Sequence, residues 1–450
     1  MVWAPIFATV IFLAIAFALI HRFGRAEGYY STISIFTVGC LVYYVAIPFD
    51  MAVRRLLGVG DPAGFPVYLT DFQLAGVVVM AALALVAWVV GYLASGFRPW
   101  PSPEERSDSD DTTVPVSLFV LVAVALVVLL PLLFFAHFLQ GLRDYATQGT
   151  KVVYDNPILA VLLAAVYVPL AVIGAIWLRN PRRRPAAIVI AVALSFGSVV
   201  INRKEAISLA FLMLASPLMR WRLRLLQATA ILAVAVTVGL LVFNAYSLHR
   251  GNAQLTVQGV LAPSYGLVEG SDAGGPFVSI QYVFGKHPKP IYGQSYLDVP
   301  ILMVPRAIWP TRPPDLAERF AQEHLPNWVP GHGTGFSLLA EAYLNFGPSG
   351  VLLQFAVLGW VWGTAWRWLR RLLATYSETA WQALYSTLGF FTLLTMGRGT
   401  VATSVKTFLV MVVPLIVARF LVDRGMRIYK ERWPEQPSII QSVRQALTGS

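Results

Sequence analysis

About eleven apolar segments, each near the length needed to cross a bilayer, divide this chain of 450 residues. A helix of roughly 20 apolar residues spans the hydrocarbon core. Segments of that kind run Val2–Ile20, Thr32–Phe49, Phe72–Phe97, Val114–Leu139, Pro157–Leu178, Ala186–Ile201, Ala206–Met219, Leu225–Phe243, Gly350–Trp366, Trp381–Met396 and Thr403–Phe420. The composition agrees: 57% apolar, 13% charged and a mean hydropathy of +0.65, where soluble domains carry about 25% charged residues. The fold class expected is therefore all-α, a polytopic membrane protein. Only Asn202-Arg203-Lys204-Glu205 separates the short sixth and seventh segments, which are expected to form a tight helical hairpin. No basic leader or small-residue cleavage site precedes the first apolar run, so it is expected to stay as an uncleaved span. Cys40 is the single cysteine, which excludes an intramolecular disulfide.

The net charge of +11 does not point to nucleic acid, because the basic residues cluster in short loops beside apolar spans. Three of these loops set the orientation: Arg179, Arg182, Arg183 and Arg184; Arg220, Arg222 and Arg224; and Arg367, Arg370 and Arg371. Basic residues in short loops favour the cytoplasm. That places the N-terminus outside, the C-terminus inside and the one long polar interruption outside. The expected organisation is about eight spans over residues 1–245, a large external loop with short helices over 246–349, about three spans over 350–424, and a cytoplasmic tail over 425–450. The acidic stretch Pro101–Asp111 falls on the cytoplasmic side and reads as a solvated linker.

The external loop holds much of the candidate chemistry. Arg306 and Arg312 bracket Trp309 among prolines, in a stiff, extended run that can hold a guanidinium at the mouth of a groove. Pairing of either Arg with a loop carboxylate such as Asp315 or Glu318 is the plainer alternative. Asp315–Leu325 has the pattern of a short amphipathic helix lying on the interface. His332 sits in Pro330-Gly331-His332-Gly333-Thr334-Gly335, where the backbone can approach a ligand closely and an imidazole can take a proton near neutral pH. An exposed loop histidine is the alternative. Phe336–Phe346 reads as a helix entering the membrane, with Glu341 and Asn345 four residues apart on one face. Glu341 is a candidate base, or a helix-end carboxylate paired with an Arg.

Four more cations lie in or beside outward-facing turns: Arg203 and Lys204 in the hairpin, Arg398 in Gly397-Arg398-Gly399, and Lys406 in the last span. Charge at a membrane edge is costly and tends to have a partner or a function. Arg forks suit phosphates. No His-x-x-x-His or acidic pair stands at metal-ligand spacing in the external segments, and no phosphate-binding Gly loop stands in the cytoplasmic ones. Neither a metal nor a cofactor is expected.

Together, Asn202-Arg203-Lys204-Glu205, Pro305-Arg306-x-x-Trp309-Pro310-x-Arg312-Pro313, Gly335-Phe336-Ser337, Glu341-Ala-Tyr343-Leu-Asn345-Phe346-Gly347 and Gly397-Arg398-Gly399 resemble the bacterial oligosaccharide repeat-unit polymerases of O-antigen and exopolysaccharide synthesis. The resemblance implies a GT-C-like membrane glycosyltransferase in the bacterial inner membrane, with its site facing the periplasm. It would join undecaprenyl-diphosphate-linked oligosaccharides, assisted by a chain-length-regulating membrane protein. Glu341 and His332 would be joint candidates for proton acceptor. Arg203, Lys204, Arg306, Arg312 and Arg398, with Trp309, Tyr343 and Asn345, would bind substrate. The alternatives are an O-antigen ligase acting on lipid A core and a lipid-linked-sugar flippase. A transporter is expected to show inverted repeats and charged broken helices at mid-bilayer, and the sequence shows neither.

Overall fold

The structure is a computed structural model that describes residues 2–27, 31–58, 60–61, 67–96, 274–304, 309, 311–324, 335–373, 396–397, 399–409 and a few single positions up to 431. The chain divides into two compact units. The first, Met1–Trp100, Pro217–Leu369 and Gly389–Thr407, holds nearly all the described residues. The second, Pro101–Ser216, Arg370–Leu388 and Phe408–Ser450, has only the ends of two helices and single helical positions described.

The described residues are helical, with no strand among them. In chain order the helices are α1 (Trp3–Glu27), α2 (Thr32–Cys40), a π-helical turn (Leu41–Val45), α3 (Ala46–Leu56), α4 (Asp71–Ala94), α5 (Gly274–Lys286), α6 (Gln294–Met303), α7 (Leu316–His324) and α8 (Leu338–Leu373). Residues 401–409 form α9. Four helical stretches are long and apolar enough to cross a membrane: Trp3–Phe23, Thr32–Leu56, Asp71–Ala94 and Leu338–Leu369. The chain is thus a multi-pass membrane protein, and four of the expected segments are helical as read. The fourth to eighth expected segments lie outside the described residues, as do the tenth apart from Met396 and the remaining positions of the eleventh beyond 403–409, 412, 416 and 420.

Local chemistry explains the helix starts. Ser31 caps α2 by accepting from Ser34 N at 3.2 Å. Thr70 and Gln73 form a reciprocal capping box on α4, with Thr70 N donating to Gln73 Oε1 at 2.9 Å and Gln73 N to Thr70 Oγ1 at 3.3 Å. Asp71 adds a negative charge where the helix dipole is positive. Arg55, at the end of α3, holds this corner. It donates to Asp61 (Nε, 2.9 Å), Asp71 (Nη1, 2.8 Å) and Leu69 O (Nη2, 2.6 Å), and it lies 4.6 Å from the Tyr68 ring centre.

Within a bilayer, helices associate mainly by close packing, because lipid is as apolar as leucine. α4 and the long part of α8 meet through Gly91 and the Gly359-Trp-Val-Trp-Gly363 motif. A Cβ on Gly91 would lie 1.9 Å from Ala356 O, one on Gly359 2.1 Å from Trp88 O, and one on Gly363 2.0 Å from Ser95 Oγ. Phe36 stacks on Trp88 at 4.2 Å, and Trp88 on Tyr92 at 5.3 Å, beside this seam. From Trp88 with Gly359, through Ser95 with Gly363, to Gly96 with Arg367, whose Nη1 sits 3.7 Å from where a Gly96 Cβ would be, the pairings rise together along both helices. The two helices therefore run parallel. Gly96 and Arg367 share one end, and Asp71 shares the other with the start of the long part of α8.

Candidate functional site

α8 is two helices, not one. At Phe346 (φ −142°, ψ 21°) and Gly347 (φ 64°, ψ −149°) the backbone leaves helical geometry. Gly347 occupies a region that is essentially glycine-only, although nothing lies within 4 Å of where its Cβ would be. Backbone conformation, not space, requires glycine there. A short arm (residues 338–345) then folds back on a long arm (from residue 348). Gln354 Nε2 donates to Leu338 O at 3.3 Å, and a Cβ on Gly350 would lie 2.3 Å from Ala342 O. Such pairing is antiparallel. The expected helix entering the membrane at Phe336–Phe346 is therefore a half-helix that turns back. The crossing falls to residues 348–369, about 33 Å at 1.5 Å per residue.

Ser337 starts the short arm. Its hydroxyl accepts from Leu339 N at 3.2 Å, and its own N–H donates to Ser279 Oγ of α5 at 2.9 Å. One turn on, Glu341 is fully buried. Its Oε2 accepts from Val401 N, the first residue of α9, at 2.7 Å. Thr400 caps the same helix by accepting from Thr403 N at 3.2 Å. A carboxylate and a hydroxyl thus divide the free N–H groups that every helix start exposes. Among the described residues, Glu341 Oε1 is buried with no partner at hydrogen-bond geometry. No Arg among the described residues pairs with Glu341, and Arg398, three residues before Val401, lies outside them. Glu341 meets the Val401 backbone N–H.

Asn345 shares the face of Glu341, as its spacing implies, and it is also fully buried. Its Nδ2 donates to Glu341 O at 2.8 Å and to Ser295 Oγ at 2.9 Å, while its Oδ1 accepts from Gly293 N at 2.9 Å. With those bonds made, the amide has one orientation. Ile291 N donates to Leu344 O at 3.1 Å, so the segment leading into α6 is joined to the short arm through both Ile291 and Gly293. The Ser295 hydroxyl, occupied as an acceptor by Asn345, has its proton free to face the Glu341 carboxyl. Tyr296 donates to Gln354 Oε1 across the hairpin. Burial first, and then the Glu341 charge, pushes the Tyr296 phenol well above its ordinary range, so it stays a donor.

The remaining expected site residues are placed as follows. Tyr343 packs its ring on Phe284, 4.5 Å between centres. Trp309 is 42% exposed and donates to Thr311 Oγ1 at 3.2 Å. Arg312 donates to Leu302 O and to Val304 O (2.9 Å), closing the free carbonyls at the end of α6. The expected amphipathic helix at Asp315–Leu325 is α7, capped by Asp315 and buried through Phe320 and Ala321. Arg203, Lys204, Arg306, His332 and Arg398 lie outside the described residues. The sequence reading missed Ser295, Tyr296, Gln354 and Val401. Their partners lie 50 to 60 residues away along the chain, so no local spacing marks them.

Residues 276–425 match the family model for the O-antigen polysaccharide polymerase Wzy. The match bears out the family that the motifs suggested. It covers a third of the chain and takes in every member of the buried network, from Ser279 to Val401. No curated protein and no solved structure matches the chain.

Proposed function

We propose that the protein polymerises oligosaccharide repeat units carried on a lipid diphosphate, at the outer leaflet of the bacterial inner membrane, within a GT-C-like arrangement of about eleven spans. The observation that carries this reading is Glu341, a fully buried carboxylate with one oxygen anchored on Val401 and the other without a partner at hydrogen-bond geometry among the described residues, inside the family-matched region. In the reaction, a hydroxyl of the acceptor sugar attacks the anomeric carbon of the donor glycan. The new C–O bond forms as the bond to the lipid diphosphate breaks, and the diphosphate departs with its lipid. The hydroxyl proton goes to Glu341, with His332 as the rival acceptor. Arg203, Lys204, Arg306, Arg312 and Arg398 are the groups proposed to offset the charge on the diphosphate, while Trp309, Tyr343 and Asn345 position sugar or backbone. A chain-length-regulating membrane protein is the proposed partner.

Glycan ladders from the host with and without the protein test the reading. Loss of long chains, with single repeats still exported and attached to lipid A core, is the result expected. Long chains accumulating on the lipid carrier would identify a ligase instead, and repeats trapped on the cytoplasmic side would identify a flippase.

A further inference from the structure

The segment between α5 and α6, His287–Gly293, is a strap of defined shape. Two of its residues, His287 (φ 48°) and Tyr292 (φ 45°), occupy the left-handed region that non-glycine residues rarely adopt. Pro288 and Pro290 stiffen it. Its far end is pinned to the short arm of α8 through Ile291 N on Leu344 O and Gly293 N on Asn345 Oδ1. Strain of this kind persists only where the surroundings enforce it, and it gathers at binding sites.

Three cationic or proton-binding side chains stand exposed here: Lys286 at the end of α5, and His287 and Lys289 on the strap. None has an ion-pair or hydrogen-bond partner among the described residues. The other described cations at this end of the unit are engaged: Arg54 by Asp50, Arg55 by Asp61 and Asp71, Arg319 by Asp298, and Arg312 by backbone carbonyls. The strap also lies at a definable depth. Gln73 Nε2, one turn into the membrane-crossing α4, donates to Phe284 O at 3.0 Å, and a Cβ on Gly285 would lie 2.7 Å from Val67 Cγ1. Lys286 therefore follows at the level where α4 leaves the membrane. Tyr68 and Phe72, 69% and 78% exposed, mark the same level as interfacial aromatics do. Lipid phosphates lie at that depth.

We propose that Lys286, His287 and Lys289 bind the diphosphate of the acceptor, the lipid-linked repeat unit whose sugar hydroxyl attacks. This rests on the proposed function for its ligand. Both substrates of that reaction carry a lipid diphosphate, so two phosphate contacts are needed. The donor's diphosphate is the leaving group and must lie at the reacting carbon. The acceptor's is separated from the attacking hydroxyl by the repeat unit itself and takes no part in bond breaking. An exposed set of point charges at the membrane surface, joined through Gly293 and Asn345 to the helix carrying Glu341, suits that second role.

The test uses the purified full-length protein in phosphatidylcholine nanodiscs. Undecaprenyl diphosphate is the binding probe, and labelled lipid-linked repeat unit is the acceptor in a kinetic assay. In the Lys286→Gln/Lys289→Gln variant we expect probe binding weakened on the order of tenfold with a shallower salt dependence. We also expect KM for the acceptor raised to a similar degree with kcat kept, the pattern of a contact unchanged in the transition state. The Lys286→Arg/Lys289→Arg variant should bind as wild type. Unchanged probe binding in the Gln variant would overturn the proposal. So would a loss seen only in parallel nanodiscs containing phosphatidylglycerol, as weaker binding of that lipid with probe binding kept, which would make the strap a headgroup anchor. Probe binding is read without turnover, so its result stands apart from whether Glu341 is the base.

Discussion

Glu341 Oε2 accepts a hydrogen bond from Val401 N at 2.7 Å, across 60 residues of sequence. One carboxylate oxygen thereby fastens the half-helix of α8 to the start of α9, and the other is left open in a buried place. The same side chain is a structural link and the proposed chemical group, so its substitutions must be chosen to separate the two.

Asn345 holds this geometry from the side. Replacing it by Asp keeps the shape but turns the bond donated to Glu341 O into two facing acceptors, and forces the Ser295 hydroxyl to turn its proton toward the new carboxylate. Leaving buried polar groups unpaired costs about 1–3 kcal/mol each. We expect Asn345→Asp to lower the unfolding midpoint in detergent clearly more than Ser295→Ala does. Equal midpoints would mean that the amide is not a clamp.

The turn of α8 gives a second test. Gly347→Ala must place an L side chain in a glycine-only region, at a cost of roughly 1–3 kcal/mol. Gly350→Ala must push a methyl against Ala342 O. Both variants should open the hairpin, read as increased labelling of a Cys placed at Leu338. Wild-type labelling in both would contradict the folded-back arm.

Close packing of α4 on α8 is tested by Gly359→Ala, whose methyl would meet Trp88 O at 2.1 Å. Overpacking of this kind costs about 1–3 kcal/mol. Gly76→Ala on α4, with nothing within 4 Å of its Cβ, is the control. It should be neutral or stabilising by up to about 1 kcal/mol. Thermal unfolding of both variants checks the contrast.

Tyr296 predicts a pH effect. Its phenol titrates higher in the folded protein than in the unfolded chain, so the stability it contributes is intact below the ordinary tyrosine value of about 10. Above that pH the unfolded chain loses the proton first, and the contribution falls away. Wild type should therefore lose stability more steeply above about pH 10 than Tyr296→Phe does. Parallel alkaline slopes would refute the burial of this hydroxyl.

The membrane character of the chain, and the helices at its start, were legible because a run of apolar residues near bilayer length has few other readings. The pairing of Glu341 with Asn345 was legible from a spacing of four. The turn at Phe346-Gly347 was not, since the apolar pattern runs on through it and only glycine's backbone freedom permits the reversal. α5 and α6 read only as parts of a polar loop. Their burial depends on Ser279 meeting Ser337 and Ser295 meeting Asn345, contacts between distant segments that no local pattern records. Arg312 looked like a phosphate fork among prolines, and its bonds to Leu302 O and Val304 O depend on where α6 ends.

The most direct measurement of the central claim is polymerisation of purified lipid-linked repeats by Glu341→Gln beside His332→Ala. Gln keeps the volume and an oxygen to accept from Val401 N, so the fold is expected to survive. The account predicts wild-type unfolding midpoints for Glu341→Gln with a rate reduced about 10²–10⁴-fold, the usual cost of losing a general base. A folded Glu341→Gln protein that polymerises within a few-fold of wild type would contradict it. Loss confined to His332→Ala would then move the proton to the imidazole.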